Sequence, residues 1–106
     1  MLILRQDSPV TEIDFCAWLS QAAPRDALEY HCGFLVLDVD PRITSLSNPD
    51  RLELIQVAAR ALWASDNGLV HLVQRRLGEN RFSYLAIARP RPDTPTLSSL
   101  LLAEAG

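Results

Sequence analysis

The stretch "GLVHLVQRRLGENRFSYLAIAR", Gly68 to Arg89, decides how the chain is read. Two runs rich in Val, Ile, Leu, Phe and Tyr flank Gly78-Glu79-Asn80, the composition of a tight β-hairpin connection. The base of the hairpin is apolar, and Arg75, Arg76 and Arg81 crowd its tip. Two registers compete. A three-residue loop sets Val73 opposite Leu85 and puts Leu72 on the face of Phe82 and Tyr84; a shift by one residue exchanges the faces.

Upstream, Asn48-Pro49 reads as a helix cap followed by Pro at the first helical position. That helix is expected over 49–65, ending through Asn67-Gly68. Its apolar arc holds Leu54, Ile55, Ala58, Ala59, Ala61 and Leu62, widened by Leu52, Val57 and Trp63. Glu53, Gln56, Arg60 and Ala64 are left as the outer strip. So wide an arc predicts cover on more than one side, by the sheet and by another helix or a second subunit. Leu28 to Asp40 reads as extended, with Gly33 marking a bend or bulge and the apolar Phe34–Val39 run as a central strand. A first helix is expected over 11–23, capped by Thr11, with Phe15, Trp18, Leu19 and Ala22 on its core stripe and Pro24 stopping it. Leu2–Leu4 suits a short strand or an ordered arm.

The fold class expected is α+β, in the order β-α-β-α-β-β-α. A small antiparallel sheet with the C-terminal hairpin packs the two main helices on one face. Residues 1–91 form one domain, a length that supports a hydrophobic core without staples. Residues 92–106 follow as a stiff linker and a short helix carrying Leu97, Leu100 and Leu101. A helix that short needs a surface to dock on, in its own domain or in a partner.

All ten basic residues are Arg, and the net charge is -3, which argues against a protein coated in positive charge for bulk nucleic-acid binding. The distribution is uneven. Residues 70–91 hold five arginines (Arg75, Arg76, Arg81, Arg89 and Arg91) against one acid, Glu79, whereas residues 1–69 hold five arginines against ten acids. Cys16 and Cys32 lack the CxxC spacing of redox and zinc motifs, no secretory signal is visible, and no apolar run reaches membrane-spanning length. A cytoplasmic protein with free thiols and no membrane association is expected.

Catalytic readings are weaker. His31 and Cys32 are neighbours on an expected strand, so they point to opposite faces and form no nucleophile–base pair; a core Cys beside a surface His is the plainer reading. His71 would have to reach Cys32 from another strand. Asp38 and Asp40, two apart, would share one face of a strand and offer two carboxylates, or simply end it before Pro41. With no zinc-ligand spacing, phosphate-binding glycine loop or nucleophile elbow, a non-enzymatic protein without metal or cofactor is expected. Trp18 and Trp63 fall at core positions, Trp63 near the edge of its arc, where it also suits an interface. The arginines carry the strongest functional signal, because the planar guanidinium fork grips phosphate and guanine bidentately.

The order helix, Asn-Gly turn, "GLVHLVQRR", short loop, "RFSYLAIAR" resembles the second half of winged-helix DNA-binding domains. The resemblance implies that Asp50–Ser65 matches the recognition helix and Leu72–Ala88 the wing. Arg75, Arg76, Arg81 and Arg89 would then contact DNA from the hairpin, and Arg60 and Gln56 from the helix. Before that helix the chain departs from the pattern, since Pro41–Asn48 holds no more than a turn. The chain is also similar to small uncharacterised proteins of proteobacterial genomes and prophages, through "AAPRDALEYHCGFLVLD" and "GLVHLVQRRLG". The expectation is a small DNA-binding or regulatory protein, dimeric, touching phosphates through a basic-tipped hairpin. The alternative is a protein–protein interaction module, an adaptor or phage-encoded inhibitor, using an apolar helix face with Trp63 and the segment carrying Leu97, Leu100 and Leu101.

Overall fold

In the computed structural model, which describes residues 3–5 and 8–90, the chain forms an α+β fold. Its elements are β1 (Ile3–Leu4), α1 (Glu12–Gln21), β2 (Ala27–Gly33), α2 (Leu35–Asp38), α3 (Asn48–Asp66), β3 (Val70–Gly78) and β4 (Arg81–Ala88). The strands make one sheet in the order β1-β2-β4-β3. The expected antiparallel sheet is corrected at one edge: β1 runs parallel to β2, through Ile3↔Ala27 and Leu4↔Leu28. The reason is connectivity, because α1 crosses over between these strands and brings β2 back in the direction of β1. The expected final helix, with Leu97, Leu100 and Leu101, lies outside the described residues.

Local chemistry explains the helix starts. The Thr11 hydroxyl accepts from the Asp14 N–H at 3.1 Å, and the Asp14 carboxylate accepts from the Thr11 N–H at 3.0 Å, a reciprocal capping box. Phe15, Trp18 and Leu19 then face the core. At α3 the cap is Ser47, one residue earlier than read from the sequence. Its hydroxyl accepts from the Asp50 N–H, and Pro49 sits in the first turn, where a missing N–H costs nothing. The core lies between the sheet and α1 and α3, with Phe15, Leu19, Leu28, Val57 and Val70 among its fully buried side chains.

The Phe34–Val39 segment is not a strand. β2 ends at Gly33, and Leu35–Asp38 makes one helical turn, α2. Three hydrogen bonds override the strand propensity of the apolar run. The Asp38 carboxylate accepts from the Phe34 N–H at 3.0 Å and bonds His31 Nε2 at 2.7 Å, while the Leu35 N–H donates to the Tyr84 hydroxyl at 2.9 Å. Val36 is 71% exposed, which a covered central strand would not permit. Gly33 makes the turn possible at φ +153, with the Asp38 carboxylate where a Cβ would stand. Upstream, a bulge between Glu29 and His31 interrupts the β2–β4 register, so that Tyr30 and His31 both approach Tyr84, with ring centroids 6.3 and 5.7 Å away.

The expected phase of α3 is also corrected. Of the predicted outer strip, Ala64 is fully buried, Glu53 accepts from the Glu12 N–H at 3.1 Å, and Arg60 Nε donates to Glu12 at 3.2 Å. The exposed face instead carries Leu52, Ile55 and Leu62, at 48%, 38% and 56% exposure. Because the helix is apolar on most sides, hydrophobicity alone sets its rotation poorly. The start of α1, with an N–H and a carboxylate seeking partners, draws Glu53 and Arg60 inward, and of the predicted strip only Gln56 stays exposed.

Candidate nucleic-acid interface

The hairpin adopts the register in which Val73 opposes Leu85, and Leu72 faces the core with Phe82 and Tyr84. The chain reverses through Glu79-Asn80, with Gly78 paired to Arg81 and an irregularity after Arg76. Asn80, at φ +56, supplies the left-handed residue, a conformation its short polar side chain tolerates. Every residue from Val73 to Arg81 is exposed, so the hairpin end stands clear of the helical layer.

Strand alternation sorts the arginines. Arg75 opposes Ser83 and Arg76 opposes Phe82, so they point to opposite faces, and Arg81, two residues from Ser83, shares the face of Arg75. Arg75 and Arg76 thus put cations on both faces of the edge strand β3, where β4 is still paired with β2 through Ser83 and Phe82, and Arg81 stands just beyond that pairing. Among the described residues neither Arg75 nor Arg81 makes an ion pair, and Arg76 only returns Nε to the Gly78 carbonyl at 3.2 Å. Most arginines in the body differ, although the Arg25 side chain makes no ion pair among the described residues either. Arg5 pairs with Glu29 at 3.3 Å, Arg42 with Asp40 at 3.1 Å and Arg60 with Glu12 at 3.2 Å, while Arg51 donates to the Val39 carbonyl and Asn48. Arg42, through its side chain and then its backbone N–H, holds the Asp40 carboxyl below the usual range.

The other expected contact residues are not gathered at the tip. Arg89 follows the opposite end of β4, eight residues from Arg81 and therefore about 26 Å along the strand. Its N–H is bound to the Leu69 carbonyl at 3.0 Å. Arg60 is withdrawn into the α1–α3 contact, stacked 4.9 Å over the Trp63 ring, with Nη1 buried and unpartnered among the described residues. Gln56 is exposed, but it stands beside the apolar Leu52, Ile55 and Ala59. Trp63 is half-buried and packs against the core. Arg91 lies outside the described residues.

The residues weighed for catalysis serve other ends. The plain reading of His31 and Cys32 is inverted: Cys32 is exposed and His31 is half-buried on Asp38. Asp38 and Asp40 do not share a strand face, since one holds α2 to β2 and the other binds Arg42. His71 pairs with Ile87 on β3, two strands from Cys32. Cys16 sits half-buried on α1, and burial pushes its thiol pKa up. A cleft of about 310 Å³ opens beside Pro9, Val10, Glu29, Tyr30, His31 and Leu46. No group of three His, Cys, Asp or Glu among the described residues is placed to hold a metal ion, and none of the described helices is long and apolar enough to cross a membrane.

Two features lie beyond what the sequence analysis anticipates. The His31–Asp38–Gly33 clamp becomes visible only with the chain reversal after β2. The exposed seam of α3 has a signal in the spacing of Leu52, Ile55, Ala59 and Leu62, but those residues also belong to the wide arc expected to be covered. No family model, curated protein or solved structure matches the chain.

Proposed function

We propose that the protein contacts nucleic-acid phosphates through the end of the β3–β4 hairpin, as a small DNA-binding or regulatory protein. One observation carries the reading. Arg75, Arg76 and Arg81 gather at one exposed end of the sheet with no carboxylate partner among the described residues, whereas Arg42, Arg51 and Arg60 in the body are engaged by neighbouring groups. Arg25, also without an ion pair among the described residues, lies at the other end of β4, where its N–H binds the Ala88 carbonyl. An exposed sheet edge and hairpin end with guanidinium groups on both faces suits a phosphate backbone. The winged-helix resemblance gains support from α2, a helical turn ahead of α3 where an extended segment was expected. It loses support from the exposed side of α3, which offers Leu52, Ile55 and Leu62 where base-reading side chains would be needed. The proposed contact is therefore to phosphate, and largely indifferent to base sequence.

Fluorescence anisotropy with a labelled duplex and a labelled single strand at low salt tests this. Arg75→Ala, Arg76→Ala and Arg81→Ala should each weaken binding on every sequence and reduce the salt slope by about one for each phosphate no longer neutralised. Arg42→Ala, which removes a cation already paired, should change little. Absence of binding to either probe, or an equal weakening by Arg42→Ala, would refute the proposal. A second reading, as a protein-interaction module, is favoured by the apolar exposed seam of α3.

A further inference from the structure

We propose that α3 is the interface between two copies of this chain, packed antiparallel along the seam Leu52-Ile55-Ala59-Leu62. The proposal is independent of nucleic-acid binding. These four residues recur at intervals of three, four and three, the spacing at which a helix presents one seam to another helix. All four are exposed, and so are Asn48 and Asp66, which continue the same spacing at the two ends of α3. The residues between them are buried or half-buried with the sole exception of Gln56, once the exposed start of the helix at Pro49 and Asp50 is passed. A seam this regular asks for another helix as its occupant.

The seam is also its own complement. Leu52 and Leu62 lie equally far on either side of Val57, as do Ile55 and Ala59, and as do Asn48 and Asp66. A two-fold axis at the level of Val57 therefore sets Leu52 of one copy on Leu62 of the other. It sets Ile55 on the small Ala59, knob into hole, and repeats both pairings by symmetry. At each end Asn48 and the positive pole of one helix meet Asp66 of the other, so a carboxylate lands where the helix dipole favours it. Along the flanks lie Arg51, Gln56, Ala58, Trp63 and Ser65, which bring no like charges together. The parallel arrangement lacks these advantages, because it stacks Asp66 on Asp66 and leaves Ala59 facing Ala59.

Sedimentation equilibrium on the full chain between about 5 and 500 µM tests the pairing, a range chosen because so short a seam should bind in the micromolar regime. Wild-type protein should dimerise reversibly. Ile55→Glu and Leu62→Glu should stay monomeric across the range with an unchanged circular dichroism spectrum, Leu62→Glu at the more exposed position being the cleaner test. At protein concentrations below dimerisation Leu62→Glu should share the wild-type urea midpoint. Orientation is read in a Cys16→Ser, Cys32→Ser background. There Leu52→Cys with Leu62→Cys in one chain should oxidise to a covalent dimer, whereas Leu62→Cys alone should not, its two copies lying about 15 Å apart along the axis. Wild-type protein that stays monomeric throughout leaves the seam to residues 92–106 of the same chain or to a different one, and overturns the proposal. So does a dimer that survives both Glu substitutions, or one that crosslinks through Leu62→Cys alone.

Discussion

Replacing Gly33 by Ala should unlatch α2 from the sheet. A Cβ at this position would stand 2.5 Å from Asp38 Oδ2 and 3.1 Å from His31 Nε2, and the backbone holds φ +153, which L side chains rarely adopt. Two costs follow. The backbone strain is worth roughly 1–3 kcal/mol. Displacing Asp38 gives up its bonds to His31 and to the Phe34 N–H. The His31 and Asp38 side chains are 15% and 26% exposed, so water compensates part of that loss, leaving about 1–2 kcal/mol. The expected total is about 2–5 kcal/mol, read as a lower midpoint in urea at unchanged slope. A double-mutant cycle separates the two terms. In an Asp38→Ala background the clash is gone, so Gly33→Ala should cost only the backbone part, and the two substitutions should couple by about 1–2 kcal/mol. A Gly33→Ala variant as stable as wild type, or strict additivity with Asp38→Ala, would refute the latch.

Three further outcomes are expected. Burial, with Tyr84 nearby adding to it, raises the Tyr30 pKa from 10.0 to about 12, favouring the neutral phenol in the fold. The contribution is constant below pH 10, and between pH 10 and about 12 the unfolded chain ionises first, so stability falls by about 2–3 kcal/mol; denaturation across that range should show Tyr30→Phe with the shallower decline. Thr11→Ala removes half of the capping box and should lower stability by about 1 kcal/mol in thermal or urea melts. Asn80→Gly should be nearly neutral, whereas Asn80→Val should cost about 1–2 kcal/mol and leave the hairpin end less protected in amide exchange, because φ +56 excludes a β-branched residue.

Local signals of short range were legible in the chain itself. Thr11 with Asp14, Pro49 near the start of α3, and Asn67-Gly68 at its end each marked a boundary through chemistry confined to a few residues. Val73 and Leu85 marked the hairpin because alternation needs only neighbours on a strand. The concentration of arginine around Gly78-Glu79-Asn80 was equally plain. What depended on distant partners was not. Phe34–Val39 has the composition of a buried strand, and only Tyr84, 49 residues from Leu35, and the return of Asp38 onto His31 make it a helical turn. The rotation of α3 depended on Glu12, 48 residues before Arg60. The distribution of Arg75, Arg76 and Arg81 over two faces followed from the register. Sequence determined, to within a residue or two, where the two long helices begin and end, where the hairpin turns and where charge gathers, because those are local free energies. Tertiary structure decided which face each element shows to water, because only long-range hydrogen bonds and packing distinguish faces that are almost equally apolar.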